Sequence, residues 1–263
     1  MFTKPTTWPG DDRGPVRVYN PGGSSNIFLV CEHASNYFPP QYGNLGLDPA
    51  ARQSHVAWDP GAIGVAEHLA DVLDATLVAG GYSRLLFDCN RSPQAENAMP
   101  NTSEAFDIPG NTSLNNADMQ RRTNEIYLPF QRALTAELDG YNDPSVLVTI
   151  HSFTKIFHGK PRRVEIGLLH DADARLADKM LEIAPSLTEL LVLPNEPYGP
   201  KDGVTHTLKL HGVDRGILNV MVEIRSDLIE TEQQQTEIAQ LLDTLLRDAL
   251  EQLRLPDPQQ VSQ

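Results

Sequence analysis

Residues 26–32 read NIFLVCE, an apolar run that predicts a short strand buried on both faces, as strands of a parallel sheet are. The predicted strand ends on His33. Residues 217–224, with the sequence ILNVMVEI, predict a second strand, which runs into Arg225. Strands buried on both faces are typical of sheets covered by helices on each side, so these two stretches decide the fold class.

Helical and strand patterns alternate along the rest of the chain. Helices are predicted over residues 62–73, 118–138, 173–183 and 238–253, with a short one over 205–210. Further strands are predicted over residues 75–79, 84–89, 145–150, 164–169 and 190–193. Because no linker interrupts this alternation, we predict a single α/β domain over residues 26–255, with a mixed, mainly parallel sheet and helices on both faces.

Three segments lack such periodicity. Residues 1–25 are rich in proline and glycine, which predicts an extended surface arm. Residues 256–263 are predicted to be a polar tail. Residues 92–115 form a long loop rich in proline, asparagine, serine and threonine, which we expect to cover a pocket because loops of this length usually carry function.

The composition excludes several classes of protein. With 263 residues, of which 40% are hydrophobic, the chain can bury a core, so intrinsic disorder is excluded. The net charge of −14 repels phosphate backbones and argues against nucleic acid as a partner. No apolar run approaches the roughly 18 residues that cross a bilayer, so we expect a soluble, cytoplasmic protein with no membrane partner.

Polar residues stand where the predicted strands end. In open α/β sheets the ligand binds at the carboxyl ends of the strands, so these residues are the first candidates for chemistry. They are Glu32 and His33, Asn90 and Arg91, His151 and Ser152, and Glu223 and Arg225. A zinc hydrolase of a small anionic substrate needs three kinds of side chain. Imidazoles and a carboxylate bind the metal, another carboxylate moves a proton, and arginines hold the carboxylate of the substrate.

Several of these residues also have a purely structural interpretation. Asp59 either caps the helix predicted to begin at residue 62 or binds a metal. Arg91 and Arg225 either bind substrate or form ion pairs, and Glu223 could pair with Arg225. Because residues two apart on a strand share a face, we expect Glu223 and Arg225 either both to reach the site or both to miss it.

Six motifs, in chain order between residues 28 and 229, resemble the N-formylglutamate amidohydrolase family: CEHASNYFPP, HVAWDPGA, YSRLLFDCNRSP, TIHSF, NEPYGP and VMVEIRSDLI. The resemblance implies a phosphorylase/hydrolase-like α/β fold related to zinc carboxypeptidases. It also implies metal-dependent hydrolysis of N-formyl-L-glutamate and a place in histidine degradation.

The resemblance assigns roles to individual residues. The segment with His151 is similar to the carboxypeptidase segment that supplies the last zinc ligand. Asn90 and Arg91 are similar to the pair that holds the substrate carboxylate there, and Glu223 is similar to the general base. Carboxypeptidases use His-x-x-Glu for the first two ligands, whereas here the motif is His33-Ala-Ser-Asn36. We therefore predict one zinc ion on His33, His151 and a third ligand, Asp59 or, as second choice, Glu32.

The prediction from the sequence is thus a zinc-dependent amidohydrolase in which Glu223 is catalytic and Asn90, Arg91 and Arg225 bind substrate. Within this class, a deacylase or carboxypeptidase-like hydrolase of another small acidic amide is the alternative. A non-catalytic small-molecule binding protein on the same fold is the alternative from a different class.

Overall fold

A seven-stranded sheet forms the centre of the protein in a computed structural model, which describes residues 14–140 and 146–254. In order across the sheet, the strands are β1 (Val16–Tyr19), β3 (Thr76–Gly80), β2 (Ile27–Cys31), β6 (Val146–Phe153), β11 (Leu218–Arg225), β9 (Ile166–Leu169) and β10 (Val192–Pro194). Two small hairpins lie outside it, one of β4 (Thr102–Ser103) with β5 (Phe106–Asp107) and one of β7 (Ile156–Phe157) with β8 (Lys160–Pro161).

Most neighbouring strands of the main sheet run parallel. The parallel pairs are β3 with β2, β2 with β6, β6 with β11, and β9 with β10. The pairs of β1 with β3 and of β9 with β11 are antiparallel. The predicted mixed, mainly parallel sheet is confirmed. In its centre, β6 and β11 place His151 directly opposite Glu223, so two residues far apart in sequence become neighbours.

Helices cover both faces of the sheet, because side chains of the central strands alternate between two apolar clusters. Leu29 of β2 faces the cluster formed with α2 (Ala62–Leu73), α5 (Arg175–Leu187) and α6 (Glu232–Arg254). Phe28 faces the opposite cluster, which contains α4 (Leu128–Gly140). The predicted α/β class is confirmed. No helix within residues 14–140 and 146–254 is long and apolar enough to cross a bilayer.

The remaining helices are short. They are α1 (Pro49–Gln53) and α3 (Asn116–Arg122), and a π-helical turn, Thr123–Tyr127, joins α3 to α4. The helix predicted over residues 118–138 is therefore present as three consecutive helical pieces. The short helix predicted over 205–210 is present as helical residues 206–207 followed by a π-helix, Leu208–Gly212.

The strand predicted over residues 84–89 is wrong. This segment consists of turns, and its Asp88 N–H donates to the carbonyl of Ala98 at 2.8 Å. Since β3 already pairs with β1 on one side and β2 on the other, it has no free edge for another strand. Leu86 and Phe87 are nevertheless buried, so the apolar run serves the core rather than the sheet.

Part of the predicted N-terminal arm also belongs to the sheet. Val16–Tyr19 forms the edge strand β1, in which Val16 lies opposite Gly80. Residues 1–13 of the arm, residue 255 and the predicted tail over 256–263 lie outside the described residues.

The predicted loop over residues 92–115 is held down by a buried side chain. The Asn111 amide donates to the carbonyls of Leu85 and Pro100 at 2.9 and 2.7 Å, and its oxygen accepts a hydrogen bond from Arg122 at 2.7 Å. Because these bonds fix both sides of the β4–β5 hairpin, the hairpin has a defined place above the sheet.

Candidate active site

A cavity of about 600 Å³ lies where β2, β6 and β11 end. Seven of the residues singled out in the sequence line it: His33, Asp59, Asn90, Arg91, His151, Ser152 and Glu223. Ligand binding at the carboxyl ends of the strands is the arrangement expected of open α/β sheets.

Three buried side chains meet at the floor of this cavity. His33 Nδ1 lies 3.2 Å from Asp59 Oδ2, and His151 Nδ1 lies 2.9 Å from the same oxygen. The two Nδ1 atoms are 3.2 Å apart. Two nitrogens and one carboxylate oxygen therefore form a nearly equilateral triangle, and these residues are a group that could hold a metal ion.

The dimensions of this triangle suit zinc. Bonds of roughly 2.0–2.2 Å to nitrogen and oxygen at tetrahedral angles separate neighbouring ligand atoms by about 3.4 Å. The edges of 2.9–3.2 Å are slightly shorter than that separation. Two histidines and one carboxylate are also a common ligand set of catalytic zinc sites.

The other ring nitrogen of each histidine faces a carboxylate. His33 Nε2 lies 2.7 Å from Asp88 Oδ1, and His151 Nε2 lies 3.1 Å from Glu32 Oε2. The contact of His151 Nε2 with Glu32 has ion-pair distance without hydrogen-bond geometry. Because an ionised carboxylate only accepts hydrogen bonds, Asp88 favours the proton on Nε2 of His33, which leaves the Nδ1 lone pair of His33 directed at the triangle. Outer carboxylates that fix the tautomer in this way are typical of histidines that bind metals.

Asp59 is positioned by the chain before α2 rather than by a capping role. Gly61 is the N-cap residue of α2, and no side chain caps the helix. Asp59 instead accepts a hydrogen bond from the Ser152 N–H at 3.3 Å, and its second oxygen lies 3.3 Å from Arg84. Of the two candidate third ligands, Asp59 is thus within reach of both Nδ1 atoms, whereas Glu32 contacts the far side of His151.

Arg84 joins the two aspartates beside the histidines. Its guanidinium contacts Asp59 at 3.3 Å and Asp88 at 2.7 Å. Burial alone would raise the pKa of both carboxyls, but their contacts with the His33 imidazole and the Arg84 guanidinium outweigh it and hold each pKa well below its ordinary value. Both aspartates are therefore ionised at neutral pH, as ligands and orienting groups must be.

Glu223 differs from Asp59 and Asp88 in the direction of its pKa shift. Among the described residues, its Oε2 has no hydrogen-bond partner although the side chain is buried. Burial, together with the negative charge of Asp59, raises the pKa of Glu223 to about 7 in spite of the nearby His151. A carboxyl group with these properties can exchange a proton near neutral pH.

Asn90 and Arg91 lie on the cavity wall, although they follow a turn rather than a strand. The Asn90 side chain donates to the carbonyl of Val204 and accepts from the Thr207 N–H, so it ties this wall to the 204–207 segment. Arg91 donates to the carbonyl of Asp202. Since a guanidinium has five N–H donors, this one bond leaves Arg91 able to bind a ligand.

Arg225 does not line the cavity. Its guanidinium donates to Asp227 at 2.6 Å and to Glu165 at 3.1 Å. The expectation that Glu223 and Arg225 either both reach the site or both miss it is wrong, because Glu223 lines the cavity whereas Arg225, at the end of β11, pairs with Asp227 and Glu165. Arg225 is therefore removed from the candidate substrate-binding residues, and its ion-pair interpretation describes it correctly.

The sequence reasoning missed Arg84 and Asp88. Both stand in the motif YSRLLFDCNRSP, and the available signal was a pair of opposite charges four residues apart inside an apolar run. The loop residue Glu104 also lines the cavity, where it contacts His55 at 2.8 Å. His206 does not line the cavity, and its Nε2 shares a hydrogen bond with the Tyr127 hydroxyl.

The fold and this cavity define an α/β protein of hydrolase architecture with a site suited to a metal. The chain belongs to the N-formylglutamate amidohydrolase family, whose model matches residues 25–230. As a member of this family it is an amidohydrolase.

Two solved structures are similar to this chain. The gene product Atu2144 from Agrobacterium tumefaciens is 47% identical, with 92% of this chain and 97% of that chain covered and a TM-score of 0.89. An N-formylglutamate amidohydrolase from Ralstonia eutropha JMP134 is 18% identical, with 90% and 98% covered and a TM-score of 0.62, which shows a shared fold. No curated protein matches the chain in sequence.

Proposed function

We propose that the chain is a zinc-dependent amidohydrolase that cleaves N-formyl-L-glutamate into formate and L-glutamate. The observation that carries this proposal is the meeting of His33, Asp59 and His151 with the unpartnered carboxyl of Glu223 in one cavity. Family membership supports the reaction class, and the arginines of the cavity wall support an anionic substrate.

His33 Nδ1, His151 Nδ1 and Asp59 Oδ2 are the atoms that would hold the zinc ion. Such an ion, when bound, polarises a carbonyl and makes water more acidic. The protein contributes the orientation of the ligands, because Asp88 fixes the proton on Nε2 of His33 and Glu32 lies 3.1 Å from Nε2 of His151.

Glu223 moves the proton in the proposed reaction. It takes a proton from the attacking water as the new C–O bond forms, and gives it to the amide nitrogen as the C–N bond breaks. The products are formate and the free amine of glutamate. A buried carboxyl with a pKa of about 7 suits both halves of this exchange, since it accepts and releases a proton at similar pH.

Arg91 binds a carboxylate of the substrate in this scheme. A guanidinium donates two parallel hydrogen bonds to a carboxylate, which fixes the substrate in orientation as well as in place. Asn90 acts mainly on the wall itself, because both ends of its amide already bond to the 204–207 segment.

The test is an assay of N-formyl-L-glutamate, N-acetyl-L-glutamate and a dipeptide with chelator-treated protein, before and after zinc is added. We expect N-formyl-L-glutamate to be hydrolysed fastest, activity to vanish on chelation, and about one equivalent of zinc to restore it. A preference for the acetyl compound or the dipeptide would point to a deacylase or a carboxypeptidase-like enzyme. Hydrolysis of none of them by zinc-loaded protein would contradict the proposal and favour a binding protein.

A further inference from the structure

Arg162 lines the cavity in an aromatic setting that no role so far explains. Its guanidinium carbon lies 4.2 Å from the ring centre of Phe157, 4.7 Å from that of Tyr198 and 5.5 Å from that of Phe153. The Tyr198 hydroxyl also accepts a hydrogen bond from its Nη2 at 2.8 Å. Rings on several sides hold a guanidinium in one orientation without neutralising its charge.

The hairpin of β7 and β8 places this residue. His158 and Gly159, between the two strands, both have positive φ, as the tight turns of two-residue hairpins require. Arg162 follows directly, and its N–H donates to the carbonyl of Lys155 at 2.8 Å. The base of the hairpin thus fixes the backbone from which the side chain extends.

Arg162 differs from the other arginines of the cavity in its charge balance. Arg84 is bound to two aspartates, and Arg91 lies 3.8 Å from Asp88. Within the described part of the chain, Arg162 forms no ion pair with a carboxylate, and it donates hydrogen bonds to the Tyr198 hydroxyl and the carbonyl of Thr154. Its positive charge is therefore available to a ligand.

The position of Arg162 suits the far end of a short substrate. Phe153, which its guanidinium contacts, is two residues beyond His151 on β6 and on the same face of the strand. Two residues advance a strand by roughly 7 Å. A five-carbon amino diacid whose nitrogen lies near His151 has its side-chain carboxylate at about this distance from that nitrogen.

We propose that Arg162 binds the second carboxylate of the substrate and makes the enzyme selective for N-acyl amino acids with an acidic side chain. This inference rests on the proposed function. Arg91 takes one carboxylate and Arg162 the other, so a substrate with a neutral side chain leaves the guanidinium of Arg162 without a counter-charge. Selectivity then arises from an unpaired charge in the cavity as well as from an attractive contact.

The experiment compares N-formyl-L-glutamate with N-formyl-L-glutamine, which has nearly the same shape but no side-chain charge. For zinc-loaded Arg162→Gln, we expect kcat/KM for the glutamate compound to fall about 10-fold to 100-fold, mainly through KM, because a hydrogen-bonded charge is lost. The value for the glutamine compound should change less than about threefold. Arg163→Gln is the matched control, since the neighbouring arginine is exposed and does not line the cavity.

Equal losses with both substrates would show that Arg162 only supports the hairpin, and no loss with either would show that it is not a binding residue. Both outcomes overturn the proposal. If the wild type hydrolyses neither compound, the proposed function fails, and binding still tests Arg162. Calorimetry should then show that Arg162→Gln weakens the binding of glutarate but not the binding of its half-amide. Equal effects on the binding of both ligands would refute the inference.

Discussion

Replacing Glu223 with glutamine tests the proposed proton transfer most directly. The side chain is 5% exposed, its Oε2 has no partner among the described residues, and glutamine has nearly the same shape. The substitution therefore removes the ability to exchange a proton while leaving the packing intact. General acid–base assistance contributes typically about 100-fold to 10,000-fold, so kcat should fall within that range.

The same substitution is also expected to raise the stability of the folded protein at neutral pH. A carboxylate with a purely structural role would instead lower the stability when it is replaced. Burial raises the pKa of Glu223 from 4.5 to about 7, so the folded protein binds this proton more tightly than the unfolded chain does. The stability contributed by this group is complete below pH 4.5 and is lost as the pH rises through 7. At about 1.4 kcal/mol per pH unit, the loss reaches roughly 3 kcal/mol, which Glu223→Gln avoids.

Two assays on one preparation check this reasoning. Turnover of N-formyl-L-glutamate is measured per zinc-loaded molecule, and unfolding of the chelated protein is followed at pH 5 and pH 8. The control is Glu165→Gln, which changes the same charge at the partner of Arg225, outside the cavity wall. We expect the control to keep its activity and to lose at most about 1 kcal/mol. A zinc-loaded Glu223→Gln that keeps more than a tenth of wild-type turnover would refute the role of Glu223.

Three further predictions concern the metal and the substrate. His33→Ala and His151→Ala should each lower the zinc content measured by mass spectrometry well below one equivalent, whereas His206→Ala should leave it unchanged. Asp88→Asn should weaken zinc binding about 10-fold to 100-fold in competition with a chelator, because it loosens the tautomer of His33. Arg91→Lys should raise KM more than it lowers kcat in steady-state assays, because an ammonium cannot donate two parallel hydrogen bonds.

The central strands could be predicted from the sequence because their burial on both faces leaves a continuous apolar run. That signal is ambiguous where an apolar segment lies beneath a sheet instead of within it, as residues 84–89 do. Only the pairing of β3 with two neighbours excludes them from the sheet, and pairing is a tertiary property. β1 was missed for the converse reason, since a short edge strand between prolines and glycines has little apolar periodicity.

The strand pattern predicted the site residues that stand at strand ends, but it missed Arg84 and Asp88, which lie in an irregular segment. His33, His151 and Glu223 stand at strand ends, and the topology brings them together. Asp88 comes from an irregular segment, so no period indicates where its side chain points. Arg225 lies on the same face of β11 as Glu223 but beyond the end of the cavity. The alternation of side chains along a strand does not predict which residues pair with it there.

The charges around the cavity explain how a chain with a net charge of −14 can take an anionic substrate. Carboxyl groups nevertheless outnumber guanidiniums there: Glu32, Asp59, Asp88, Glu104, Glu196, Asp202 and Glu223 line or adjoin the cavity, against Arg84, Arg91 and Arg162. A divalent cation on the three ligands would reduce this negative excess without reversing it. Attraction of a substrate carboxylate therefore has to be local. Asp59 and Asp88 already hold Arg84, whereas Arg162 forms no ion pair within the described residues. An anionic substrate would be bound at guanidiniums that the carboxylates of the protein leave available, whatever the sign of the surrounding surface.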